Sequence, residues 1–552
     1  MPSHLPIPAS GPVLLGAALV AIGCAPEPPC LECGTMVVAI AADADLLNPA
    51  LAQSSGRVVA DQLFLKLADV GPGTNTVGDS GFVARLAESW RFENDRTIAF
   101  ILSAGARWQD GAPVTARDVA FTFTAYRDTL LDAPVRPLLE DIDSVVARDE
   151  RTAVFHFRRA YAAQFFDATH HLRILPAHLL DTVPGDRWRT HPFSRNPVGN
   201  GPFRLAAWRP GEAIELVADS TFFLGRPSLN RVIFRVAPDV NATITQLLAG
   251  EADFVEAVVG PENVARVAAD SGVRLIEYPA PVYMYLAFNL RSRPPRGPGT
   301  PHVLFAEREL RRAIALGIDR EALIRAVLDG RGTIPPGPTT PMVWIHDGAP
   351  RQLPFDSARA TVLLDSLGWR DADGDGIRER GGRRLEFDVL YPSSSAIRQR
   401  TGVIMQEQLR HLGVDLRLSP MELNALLERA RAGRFDAMIG AWQISLVPTG
   451  LRELWTSAGI GTANFGSYAQ PAFDAKVEEA AAAPDLAAAR RLWHDALGII
   501  NEDAPAVWLF APSTIAGANR RLENVTIRPD EWWANLWTWS AGRRQAAGDG
   551  VR

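Results

Sequence analysis

The segment 197–255 constrains this chain most, because it specifies an ordered frame and carries no chemistry of its own. It opens Pro197-Val198-Gly199-Asn200-Gly201-Pro202. Two glycines around Asn200 permit a tight turn, and Pro202, which lacks a backbone donor, belongs at a strand start. Strand material follows at 203–208, 215–217 and 232–236. A short helix then sets Ile244, Leu247 and Leu248 on one face, with Gly250 as its stop. The segment holds no metal cluster, no phosphate loop and no nucleophile beside a base.

At 552 residues the chain exceeds one hydrophobic core, and two to four domains are expected. Hydrophobic residues at 47% and charged residues at 22% exclude disorder and a membrane bundle. A net charge of -6 argues against nucleic acid as a partner. Only Lys66 and Lys476 are lysines, a composition bias rather than a phosphate-binding surface. The run 13–22 is apolar and of signal-peptide length, too short to span a bilayer comfortably. It ends Ala21-Ile22-Gly23-Cys24. A lipobox has this form, with Cys24 lipidated as the mature N-terminus. No Lys or Arg precedes Val13, so a cleaved soluble signal and a misassigned start remain as alternatives. Cys30 and Cys33 form a lone CxxC in a Pro-rich tether, to which a structural or incidental role is assigned ahead of redox chemistry or half a zinc site.

Along the chain, 36–42 reads as a short strand followed by Leu46-Leu47-Asn48-Pro49. The loop 71–81 is Gly-rich. Its Gly78-Asp79-Ser80-Gly81 resembles a protease nucleophile tetrapeptide, but only His4 lies upstream to serve it, so it reads as loop. Leu86-Ala87-Glu88-Ser89-Trp90 leads into a hairpin, a turn at Asp110-Gly111, and a helix capped by Thr115 with Asp118 reciprocating. Val119, Phe123, Tyr126 and Leu130 are expected on that helix's apolar face. His170 and His171 are adjacent and point apart, and with His178 they read as packing or surface residues rather than a metal site. Asp371-Ala372-Asp373-Gly374-Asp375-Gly376 has the first half of a calcium loop, but Gly382 stands at the twelfth position, so a polar turn is expected. Strands at 387–391 and 414–418 flank a helix from 397 to 411, a βαβ unit that implies a parallel sheet. Ligands in such sheets sit beyond the carboxyl ends of the strands, which points to 391–395 and to the segment beginning at Trp442. The aromatic tail 531–539 is expected to pack, with ligand stacking as a second reading.

Taken together, the segments at 86–119, 175–178, 197–255, 286–290 and 469–507 resemble family 5 solute-binding proteins, the extracytoplasmic receptors of ABC importers for peptides, nickel and some sugars. The resemblance spans 36–540 and implies an α/β fold of the periplasmic binding protein type II kind. Two lobes would close on a hinge, with an extra domain making three. The implied division is a signal peptide at 1–23, a tether at 24–35, lobe I at 36–71, 197–285 and 511–540, the extra domain at 72–196, lobe III at 286–510, and a flexible tail at 541–552. The candidate ligand contacts are Leu46, Asn48, Tyr391, Ser393, Arg398, Trp442, Gln443 and Ser445. No catalytic residue, metal or cofactor is expected.

The implied function is capture of a peptide or related solute by lobe closure and its delivery to membrane permease subunits. The protein would act as a monomer held outside the cytoplasm by its lipid. Peptide binders of this kind place an aspartate for the ligand's ammonium in the loop after the tryptophan, where this chain has Val447. Either another carboxylate serves or the ligand lacks a free amine. Two further readings stand beside this one: an anchored hydrolase, for which no GxSxG, HExxH or credible triad is present, and a sensory or assembly lipoprotein that uses the same fold without transport.

Overall fold

The computed structural model describes residues 34–292 and 299–543. The expected signal peptide, most of the tether with Cys24, Cys30 and Cys33, and residues 544–552 of the tail lie outside the described residues.

One twelve-stranded sheet runs through the molecule. In its first half the strand Thr35–Ile40 pairs in parallel with Arg231–Val236 and with Phe254–Val255. Ala213–Ala218 and Phe203–Arg209 extend it antiparallel. The glycines before Phe203 serve a different purpose from a simple turn, since neither has a positive φ. A Cβ on Gly199 would lie 2.0 Å from the Leu63 carbonyl oxygen. That oxygen accepts the N–H groups of Asn200 and Gly201 at 3.0 and 2.8 Å. The glycines let two backbones meet at the end of the helix Ser54–Leu63.

In the second half, Glu386–Pro392 pairs in parallel with both Asp415–Met421 and Ala437–Gln443. The helix Ala396–Arg410 forms the crossover, as the βαβ reading predicts. Trp442 and Gln443 belong to the strand and not to the segment after it, because they pair with Tyr283 and Val282. The strand Val282–Phe288 alternates cleanly. Met284, Leu286 and Phe288 enter one core and Tyr283, Tyr285 and Ala287 the other, so both sheet faces are covered.

A single strand, Ala506–Asn519, joins the halves. Its first part pairs with Val282–Phe288, and its last part with Val273–Pro279 and Phe254–Val255. Positions 285/286 and 510/511, where lobes were expected to meet, therefore fall inside continuous strands.

Residues 87–157 carry a separate antiparallel sheet, ordered Ala87–Asn94, Thr97–Leu102, Thr152–Phe157, Ile142–Ala147. Its core is continuous with that of the first half-sheet: Phe100 and Phe155 belong to the same buried cluster as Val38, Phe203 and Trp539. Over it lies the helix Ala116–Arg127, capped as expected by the Thr115 N–H donating to Asp118 Oδ2 at 2.7 Å. Leu130 departs from expectation. The helix ends at Arg127, the Leu130 N–H donates to Asp128 Oδ1 at 2.9 Å, and this local turn leaves Leu130 65% exposed.

The C-terminal segment is tied down by aromatic and ionic contacts. Trp532 and Trp539 pack on Phe254 at 4.7 and 5.3 Å. Beside them the buried Glu531 accepts from Lys66 at 2.7 Å, Arg173 at 2.8 Å and Arg528 at 2.6 Å. Arg173 also grips Asp61 at 2.7 Å.

Candidate solute-binding site

The two strands that end at Pro392 and Gln443 bring Tyr391, Ser393, Arg398, Trp442, Gln443 and Ser445 toward one end of the second half-sheet. Trp442, Gln443 and Ser445 line a cavity of about 310 Å³, at the lower end of the range typical of small-ligand pockets. Trp442 is held by Phe465, stacked at 5.7 Å and 17°. Ser445 Oγ donates to the Val447 carbonyl at 3.2 Å, which shapes the loop and leaves the hydroxyl's lone pairs available. Val447 is part of the lining.

Another part of the wall comes from residues 338–345. Thr339, Val343 and Ile345 line the cavity. The intervening residues face elsewhere: Met342 O accepts from Thr74 Oγ1 at 3.0 Å, and the Trp344 indole N–H donates to Thr76 Oγ1 at 3.0 Å. The Ala162 N–H also reaches the Ala481 carbonyl at 3.2 Å. The cavity therefore adjoins a seam at which residues 74–76 and 162 meet residues 342–344 and 481.

Arg398 stands near the same strand ends, on the first turn of Ala396–Arg410. It is half-buried, no carboxylate pairs with it among the described residues, and its buried Nε has no hydrogen-bond partner. Burial lowers the guanidinium's pKa, while the nearby Tyr285 hydroxyl acts to raise it. Ser393 is exposed at the end of the strand. Tyr391 instead packs into the core with Met405 and Leu409. Leu46 is buried in the core of the first half-sheet. Asn48 is fully buried: its Oδ1 accepts from the Ala50 N–H at 3.1 Å and its Nδ2 donates to Ser194 Oγ at 3.3 Å, so it builds the turn. None of these five residues lines the cavity.

The histidines do not converge on an ion. His170 stacks on Phe166 at 4.4 Å, His171 lies 3.4 Å from Asp167, and His178 bonds Asp110 at 2.8 Å. His170 does approach Asp530 and Glu531, with one potential ligand atom of each within 4.8 Å of the others. The cations already on Glu531 oppose adding a metal there. Asp371, Asp373 and Asp375 converge with Glu379, which the spacing argument passed over. Arg384 pairs with Asp375, and Asp371 accepts from the Gly374 and Gly376 N–H groups at 2.7 and 3.0 Å. No described helix is long and apolar enough to cross a membrane.

The sheet is mixed and shared by two halves, and the cavity, lined wholly by residues 338–454, adjoins a seam with residues 74–76. Residues 81–465 match the bacterial extracellular solute-binding proteins, family 5 Middle, and the chain belongs to that family. It is similar to the oligopeptide-binding protein AppA of Bacillus subtilis, with 27% identity over 81% of this chain and 83% of AppA. Protein XP55 of Streptomyces lividans is 31% identical over 69% of this chain and 67% of its own. Among solved structures, AppA in complex with a nonapeptide superposes with a TM-score of 0.67 at 24% identity, covering 92% of this chain and 99% of AppA. The ABC transporter substrate-binding protein CtaP of Listeria monocytogenes gives 0.77 at 22% identity, covering 92% and 99%.

Proposed function

We propose that this protein is the substrate-binding receptor of an ABC importer, working outside the cytoplasm and capturing a peptide or related solute by closing two bodies over it. The observation that carries this reading is the double-sided loop 338–346, which walls the cavity with one set of residues and contacts residues 74–76 with the other. A solute that touches both sides stabilises the closed arrangement by its differential affinity for it. Micromolar binding supplies about 8 kcal/mol, enough to shift an open–closed bias of a few kcal/mol.

The peptide assignment is supported by the peptide-binding relatives and by Arg398, an unpaired guanidinium suited to a ligand carboxylate. Trp442, Gln443 and Ser445 would contact the solute, with Ser393 at the strand end. Leu46, Asn48 and Tyr391 would shape the surrounding backbone. The lobe division given above is supported by the strand order, in which Thr35–Ile40, Arg231–Val236 and part of Ala506–Asn519 share one half-sheet. A lipid on Cys24 would hold the monomer at the membrane beside its permease, a reading supported by the apolar run and small residues before that cysteine.

Native mass spectrometry of the purified chain, followed by thermal unfolding with peptide pools, tests the reading. A receptor carries or gains an intact solute and is stabilised by it, by about 2.7 kcal/mol at a hundredfold excess over Kd. Steady conversion of the peptides to products would replace the receptor with the hydrolase.

A further inference from the structure

The cavity at Trp442 is selective in its chemistry. Its wall is mainly apolar, with Val343, Ile345, Trp442 and Leu454 among the lining residues. Its polar lining groups are hydrogen-bond acceptors or neutral, and no Lys, Arg or His lines it. Thr339 is 1% exposed and its Oγ1 has no hydrogen-bond partner, although buried hydroxyls are ordinarily satisfied. Glu453 is exposed and makes no ion pair among the described residues, since its neighbour Arg452 turns to Glu478 instead.

An acidic group would meet repulsion from Glu453, and a neutral apolar group would leave that carboxylate unpaired beside it. A long apolar stem ending in a cation suits both the wall and the carboxylate: the stem lies against the apolar lining, and the head pairs with Glu453. We infer that this cavity is the subsite for a Lys- or Arg-type side chain of the captured solute, with Glu453 as the residue that selects for it. This rests on the peptide-receptor reading and extends it to the class of peptide taken.

The test uses the full chain and three series of tripeptides, with Lys, norleucine or Glu at each position in turn among alanines, titrated by calorimetry. In one register the Lys peptide is expected to bind about fivefold more tightly than its norleucine match, with Glu weakest, the size of effect an exposed ion pair gives. Glu453→Gln should bring the Lys-to-norleucine ratio close to one, with an unchanged unfolding midpoint showing that the variant is folded. Absence of a Lys preference in every register, or a preference that survives Glu453→Gln, overturns the inference and leaves the receptor reading standing. If no peptide binds and no bound solute is found by mass, the receptor reading fails and this subsite with it.

Discussion

Glu531 and His170 each tie this protein's stability to pH. Burial pushes the Glu531 pKa up, but Lys66 and Arg173 together with Arg528 outweigh it and hold the carboxyl well below its ordinary 4.5. A carboxylate lowered in this way contributes stability that is present above about pH 4.5 and lost as pH falls through the folded value. His170 acts at milder pH. Burial holds its imidazole well below 6.5, so below that pH the unfolded chain takes up a proton that the folded one refuses. Stability therefore declines as pH falls through about 6.5, the unfolded value, while the folded imidazole stays neutral. Urea unfolding at pH 7.5 and 5.5 should show that loss, and His170→Gln should remove most of it. An equal loss in both proteins would assign the effect to other groups. Neither residue's role was legible in the sequence, because the cluster joins three segments, 61–66, 170–173 and 528–531, that lie a hundred or more residues from one another.

At the scale of elements, local rules carried well wherever a cap or a period decides the outcome. The Asp319 and Asp356 carboxylates accept from Ala322 and Arg359 N–H groups, each at 2.9 Å, and cap the helices that follow them. The helix stop at Gly250 has the positive φ, 71°, that its residue type favours. Leu130 failed because an Asx turn competed with the helical period and won. The strand Ala437–Gln443 raises a packing point that no pattern announces: a Cβ on Gly440 would lie 2.3 Å from the Tyr285 ring. Tyr285 is itself buried and packed edge-on to Trp455 at 5.4 Å, so it has little freedom to move. Gly440→Ala is expected to lower stability by about 1–3 kcal/mol through overpacking, and adding Tyr285→Leu should recover part of that loss. A denaturation midpoint unchanged by Gly440→Ala would show that the strand relaxes there.

Across the whole molecule, the seam between residues 74–76 and 342–344 is where closure would be felt. The Trp344–Thr76 hydrogen bond is buried, so Thr76→Val leaves the indole N–H without its acceptor, at a cost of about 1–3 kcal/mol. If closure brings these residues together, the variant should bind solute about fivefold or more weakly, and its scattering profile should shift toward a more open form. Unchanged affinity together with an unchanged profile would remove this bond from the closing mechanism.

Read alone, the sequence determined the α/β class, the parallel βαβ unit, the Thr115 helix cap and the family. These follow from short-range sterics, hydrogen bonding and hydrophobic period, which act within a few residues. It also placed Trp442, Gln443 and Ser445 at a strand end. Only the tertiary structure supplied the second wall of the cavity, the unpartnered hydroxyl of Thr339, the open carboxylate of Glu453 and the cations around Glu531. These features depend on segments brought together by folding, Lys66 and Arg173 on Glu531 above all, and burial and charge pairing are properties of that packing, invisible along the chain.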